Sequence, residues 1–385
     1  MSSLLTIYPY DFIIKKLLTQ VNQTMLSSTK KSSFELFIQL KKELNNVAFY
    51  IKGDSIIYVL IAFIVASVCL FASLNGYSNK ISLFSYMYAM KWVVFFSTLF
   101  LFFGYFFILL LRREPRPLLC YWDKLKLIYT HRARIVSAFI LLTAISAFIS
   151  SFSTMKGLIP LVHPFEYDLI FHDIDFWLFL GHEPWRVIHS IFNSPYLTLI
   201  INFFYNVWFF LIWGVLSYFL LALPSRSRTR YLISWLLCWS ILGMIIAMLL
   251  SSAGPAFAGR LDINNHYYDP LMQLLQEQNV WLKHRGWGEV FSLGTQDDLW
   301  QAYANGKYML GSGISAMPSI HISMAVLMAL GISSLNRKLG FAFWIFAGII
   351  MIGSVDLGWH YVVDGLVSAP LTWLIWYLSG KVMRQ

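Results

Sequence analysis

Eight apolar runs, each long enough to cross a bilayer, leave few folds open to this 385-residue chain. They cover 56–75, 87–111, 135–155, 196–223, 230–252, 318–335, 340–359 and 361–380, against the roughly 20 residues a spanning helix needs. In hydrocarbon every backbone polar group must find its partner within the protein, so such runs become helices. Charged residues make up only 12% of the chain, about half the share of a soluble domain. The expected fold is an all-α polytopic membrane protein with about eight transmembrane helices. A ninth segment, 167–180, carries too many polar residues to cross and is expected to lie at the interface or re-enter the membrane.

The net charge of +10 does not point to nucleic acid, because the Lys and Arg residues sit in short connections between apolar runs. They crowd the N-terminal tail, the 112–134 loop, Arg226, Arg228 and Arg230, Arg337 and Lys338, and Lys381 and Arg384. Threading eight spans puts all of these on one side, which the positive-inside rule makes cytosolic, together with both termini. Three parts follow: a cytosolic tail at 1–52, two leading spans with a basic cytosolic loop at 53–134, and six later spans at 135–385. The later part carries an extracytoplasmic loop at 253–317, and loops of that length on a compact bundle are usually functional. Cys69, Cys120 and Cys238 have no metal-site or disulfide spacing.

Two polar clusters interrupt this pattern at the outer side. Gly311, Ser312 and Gly313 run into Pro318, and Ser319 and His321 then open an apolar helix. Amide groups, hydroxyls and an imidazole at a helix start suit a phosphate. Gly358-Trp359-His360 opens the last span, with Asp364 four residues on and so on the same helical face. A carboxylate that fixes one ring nitrogen makes the other a better nucleophile or base. Charge inside a span is costly and usually functional. Two histidines that open two helices on one side can address a single phosphorus, one attacking and the other protonating the leaving oxygen. The expected phosphate clamps are Arg260, which closes the fifth span after Gly254-Pro255, then Lys307 and Arg285. Asp356, His360 and Asp364 recur every four residues and could mimic a ligand stripe, but no zinc-type spacing accompanies them and no metal or other cofactor is expected.

These residues resemble the phosphatidic acid phosphatase type 2 superfamily, which also includes vanadium-dependent haloperoxidases. Its Pro-Ser-x-His motif matches Pro318, Ser319 and His321, and its His-x-x-x-Asp ending matches His360 and Asp364. The resemblance covers about 135–380 and implies a six-helix catalytic bundle with His360 as nucleophile, Asp364 as its orienting group and His321 as acid. The family's first motif, Lys and Arg-Pro, is absent from the outer loops, and Ser354 stands where its third motif has Arg. Ser251-Ser-Ala-Gly-Pro, Arg260 and Ile314-Ser-Ala-Met-Pro-Ser-Ile-His321 are similar to the inositol phosphorylceramide synthase branch and its bacterial relatives. That similarity implies a membrane phosphotransferase moving a phospho-headgroup from a lipid phosphoester donor, with an alcohol or water as acceptor. It would work at the outer face of a bacterial inner membrane, among membrane lipids. The alternatives are a lipid phosphate or polyprenyl pyrophosphate phosphatase and a non-catalytic lipid-binding membrane protein.

Overall fold

The computed structural model of the protein describes residues 37–306, 311 and 313–382. Most of the expected tail lies outside these residues; 37–53 is helical and runs into the first span. The two leading spans are α1 (Ser55–Leu74) and α2 (Ser85–Leu111). The 112–134 segment, expected as a loop, is helical instead. It holds α3 (Pro117–Thr130), with proline at its first turn where a missing N–H costs nothing, and the start of α4 (Arg132–Val162). Two short helices follow, α5 (Asp168–Leu178) and α6 (Pro184–Ile191). Next come α7 (Pro195–Leu221) and α8 (Arg226–Leu249), the latter carrying a π-helical stretch at Cys238–Ile246.

The expected outer loop is itself mostly helical: α9 (Pro255–Leu261), α10 (Asp269–His284) and α11 (Phe291–Ala304). The chain ends in α12 (Ile320–Ser333), α13 (Arg337–Asp356) and α14 (Val362–Val382).

Among the described residues seven helices are long and apolar enough to span. The eighth expected span corresponds to α12, whose 14 residues reach only about 21 Å, short of the roughly 30 Å hydrocarbon core. The helix starts late because 314–319 enters the protein as buried, non-helical chain. Its amides are met from 251–254: Ala316 N–H donates to the Ser252 carbonyl (2.9 Å) and Met317 N–H to Ser252 Oγ (3.1 Å). Irregular backbone at such depth is tolerated only when protein satisfies it.

The helix ends fall into two sets. At one end, Arg228 makes a bidentate pair with Asp54 (2.5 and 2.9 Å), both buried, and joins α8 to α1. Arg134 Nε, Arg226 Nη2 and Arg230 Nε donate to the carbonyls of Leu221, Gly380 and Trp376. These arginines, expected as topology signals, also satisfy carbonyls at helix C-termini, where the helix dipole favours cations. At the opposite end lie His321 and His360. The 20 residues of α13 separate Arg337 from that end, about 30 Å along the axis. The sequence therefore concentrates its positive charge away from its two histidine clusters.

Candidate active site

His321 and His360 open α12 and α14, and the bundle brings them together, with His321 Nδ1 3.4 Å from His360 Nε2. Asp364 Oδ2 lies 3.1 Å from His360 Nδ1 and also accepts the Tyr361 N–H at 3.1 Å. An ionised carboxylate only accepts, so with Asp364 ionised and His360 neutral the Nδ1 of His360 carries the proton and Nε2 offers a lone pair. The contact between the rings then requires His321 Nδ1 to be the donor. In that state an unprotonated nitrogen faces a proton-bearing one. The rings are in hydrogen-bond contact, so they must part to admit a phosphoryl group between them.

Aromatic packing positions His321. Its ring lies 4.5 Å from that of Trp208 and 4.9 Å from that of Tyr205, centroid to centroid, and Trp208 Nε1–H holds its carbonyl at 3.0 Å. Ser319 is the N-cap of α12, with Oγ accepting from Ile322 N–H at 3.4 Å, and its own N–H donates to the Asp364 carbonyl at 3.4 Å. The two histidine-bearing helix starts are therefore stitched directly to each other.

A third segment, Ser251–Pro255, ties both to the rest of the bundle. Ala256 N–H donates to the Gly358 carbonyl (2.8 Å), beside Trp359 and His360, while Ser252 holds 316–317. Gly254 has φ +99°, and a Cβ there would stand 2.7 Å from the Trp359 carbonyl oxygen, so no other residue fits.

The segment expected to be interfacial, α5, is part of this assembly. Asp168 and Asp175, two turns apart on one face, are both buried. Asp168 accepts Ala253 N–H, Gly254 N–H (2.8 Å) and the Tyr361 hydroxyl (3.0 Å). Asp175 accepts Val362 N–H (2.6 Å) and Val363 N–H (2.9 Å), the free amides at the start of α14. Burial raises the Asp168 carboxyl and pushes Asp175 up to about 7, while the amide bonds act in the opposite sense. The outer helices are anchored as well: Asn202 Oδ1 accepts Ser292 N–H and Oγ–H, and Gln296 Nε2 donates to the Leu357 carbonyl at 2.9 Å.

The expected clamps fare unequally. Arg260 is paired with Asp297 (2.5 Å) rather than free for an anion, and Arg285 stacks on Trp281 at 4.3 Å. Among the described residues no contact joins either to the histidine pair. Lys307 and Ser312 lie outside the described residues. Gly311 and Gly313 both have positive φ, and a Cβ on Gly313 would stand 2.9 Å from Lys156 Cγ. Lys156, near the C-terminal end of α4, therefore packs beside the Gly313 end of the segment that leads into Ser319 and His321. Among the described residues no carboxylate pairs with it. Sequence reasoning missed it because a lone lysine at the end of a span looks like an interfacial anchor. Its one sequence signal is position, on the side where the other connections are poor in base.

The Asp356, His360 and Asp364 stripe is divided. Asp356 faces His189 Nε2 (3.3 Å), whereas Asp364 serves His360. Among the described residues no three His, Cys, Asp or Glu side chains converge as a metal ligand set.

Fold and site together define an integral membrane protein with a His–His–Asp constellation sunk at one end of a helical bundle. The model of the PAP2 superfamily matches residues 169–378, just over half of the chain, and this protein belongs to that superfamily. No curated protein and no solved structure matches it. Membership fits a lipid phosphatase or phosphotransferase. The matched residues begin inside α5, so α1, α2 and α4, with Lys156, precede them.

Proposed function

We propose that the protein is a phosphotransferase that moves a phospho-headgroup between lipid or lipid-linked substrates through a phosphohistidine on His360. The observation that carries the reading is the 3.4 Å approach of His321 Nδ1 to a His360 Nε2 whose opposite nitrogen is held by Asp364. Nε2 attacks phosphorus, and the P–O bond to the leaving group breaks in line. His321 gives its proton to the departing oxygen. In the second half, His321 takes the proton of an incoming alcohol or water as the P–N bond breaks. Lys156, Ser319 and the turn at Gly311–Gly313 supply positive charge and donors to the phosphoryl oxygens, the term that dominates phosphoryl transfer. Arg260 can join them only by leaving Asp297.

The site opens on the face away from the arginine-rich helix ends, which the positive-inside rule makes extracytoplasmic. Basic loops of this kind suit a bacterial inner membrane with a periplasmic site. Hydrolysis of a lipid phosphate is the second reading, because the same phosphohistidine yields to water when the outer helices admit it. The test uses purified protein with labelled phospholipids and lipid pyrophosphates, following free phosphate and new phosphodiester separately. A His360-dependent phosphodiester without free phosphate is expected. Free phosphate alone would make the protein a phosphatase, and no His360-dependent product would leave a lipid-binding protein.

A further inference from the structure

A cavity of about 470 Å³ lies beside the site, within the range of small-molecule pockets. Residues 79–82, from the turn between the two leading spans, form one wall, and Thr154, Gly157 and Leu161 of α4 form another. The end of α11 and the Gly313–Ile314 backbone close it. The turn is held in place: Ser82 N–H donates to Thr154 Oγ1 at 3.3 Å, and Tyr77 OH donates to the Leu161 carbonyl at 3.4 Å. Ile314 of the lining is buried in a cluster with Ala253 and Ala256, Trp359 packs against that cluster, and the Trp359 ring lies 6.5 Å from that of His321, centroid to centroid. The cavity therefore lies a layer of side chains from the histidine pair, at the same end of the bundle. Walls from 79–82 and 154–161 precede residue 169, where the superfamily match begins, so two sides of this space lie outside the matched residues while the end of α11 and Gly313–Ile314 lie within them.

Its chemistry is one-sided. Lys80 is the single charged side chain among the described lining residues; Asn79, Ser82, Thr154 and Tyr303 add amide and hydroxyl groups, and no Asp or Glu is present. A headgroup ammonium would enter without a counter-charge, whereas a hydroxylated or anionic headgroup would find donors and a cation. We propose that this cavity is a subsite for the headgroup of the phosphodiester, selecting polyol or anionic headgroups over ethanolamine and choline. The two leading spans thereby acquire a role: their connecting turn builds the selective wall. The proposal rests on the phosphotransfer reading for its connection to turnover, and its test includes a readout that does not.

The experiment has two arms. The first measures His360-dependent turnover of phosphatidylglycerol, phosphatidylethanolamine and phosphatidate by wild type and Lys80→Glu. A phosphatidylglycerol to phosphatidylethanolamine ratio of kcat/KM of about tenfold or more is expected, one well-placed charge being worth on the order of 1–2 kcal/mol. Lys80→Glu should bring that ratio to one or below. In the second arm Asn79→Cys, in a His360→Ala chain whose three natural cysteines are serine, is labelled with a maleimide in detergent. Phosphatidylglycerol should slow labelling several-fold more than phosphatidylethanolamine does. Labelling equally indifferent to both lipids, with His360-dependent turnover intact, overturns the subsite and leaves the reaction standing. Protection by phosphatidylglycerol without turnover of any lipid supports the subsite and overturns the reaction.

Discussion

At the scale of single residues, the site rests on which nitrogen carries which proton. Asp364→Asn preserves shape but can turn an N–H toward His360 Nδ1, presenting the wrong tautomer. Turnover is expected to fall about 10²–10⁴-fold with lipid binding retained, as measured by steady-state kinetics beside a co-sedimentation assay. A fall of less than about threefold would remove Asp364 from the proposed role. His321→Ala should lose a similar factor on a lipid alkoxide leaving group, yet far less on a p-nitrophenyl phosphodiester, whose leaving oxygen needs no proton. Equal losses on both would contradict His321 as the acid. The His360–Asp364 pair was legible in the sequence because it is local, although His360 stands two residues before α14 and meets Asp364 from outside the helix rather than along one of its faces. Lys156 was not legible, because its place beside Gly313 bridges 157 positions and no side-chain pattern announces it. The pairing of Arg260 with Asp297 was not legible either, because its sequence neighbours suggest a clamp and Asp297 lies 37 positions away.

At the scale of elements, α5 shows what hydropathy misses. Its polarity marked it as non-spanning, yet the partners of Asp168 and Asp175 are backbone amides of 253–254 and 362–363, which carry no sequence signature. The shortness of α12 escaped for a related reason, since an apolar run does not reveal that its first residues enter as extended chain. Asp168→Ala would leave two buried amides and a hydroxyl unmatched, at about 1–3 kcal/mol for each such group. A lowered thermal midpoint in detergent is expected, together with loss of turnover. Asp175 makes a pH-dependent contribution. Burial raises its carboxyl to about 7, so the folded protein keeps a proton that the unfolded chain releases near pH 4. The stability from that proton is full below about pH 4 and is lost as pH rises through 7. The midpoint of wild type relative to Asp175→Asn should therefore fall between about pH 4 and 7, and a flat difference would contradict it.

At the scale of the whole molecule, the all-helical membrane architecture could be read from apolar run length. The assembly of three non-helical segments, 251–254, 314–319 and 357–361, around one pair of rings could not, because their contacts are between backbones. We propose that this assembly places a nucleophilic His360 Nε2 against a donor on His321 and forms a phosphohistidine. The most direct measurement is rapid quenching at alkaline pH, where a phosphohistidine survives, of purified protein with phosphorus-labelled phospholipid, followed by peptide mapping. Label is expected on the peptide carrying His360, acid-labile and absent from His360→Ala. Turnover by wild type with no trapped label, and turnover persisting in His360→Ala, would contradict it.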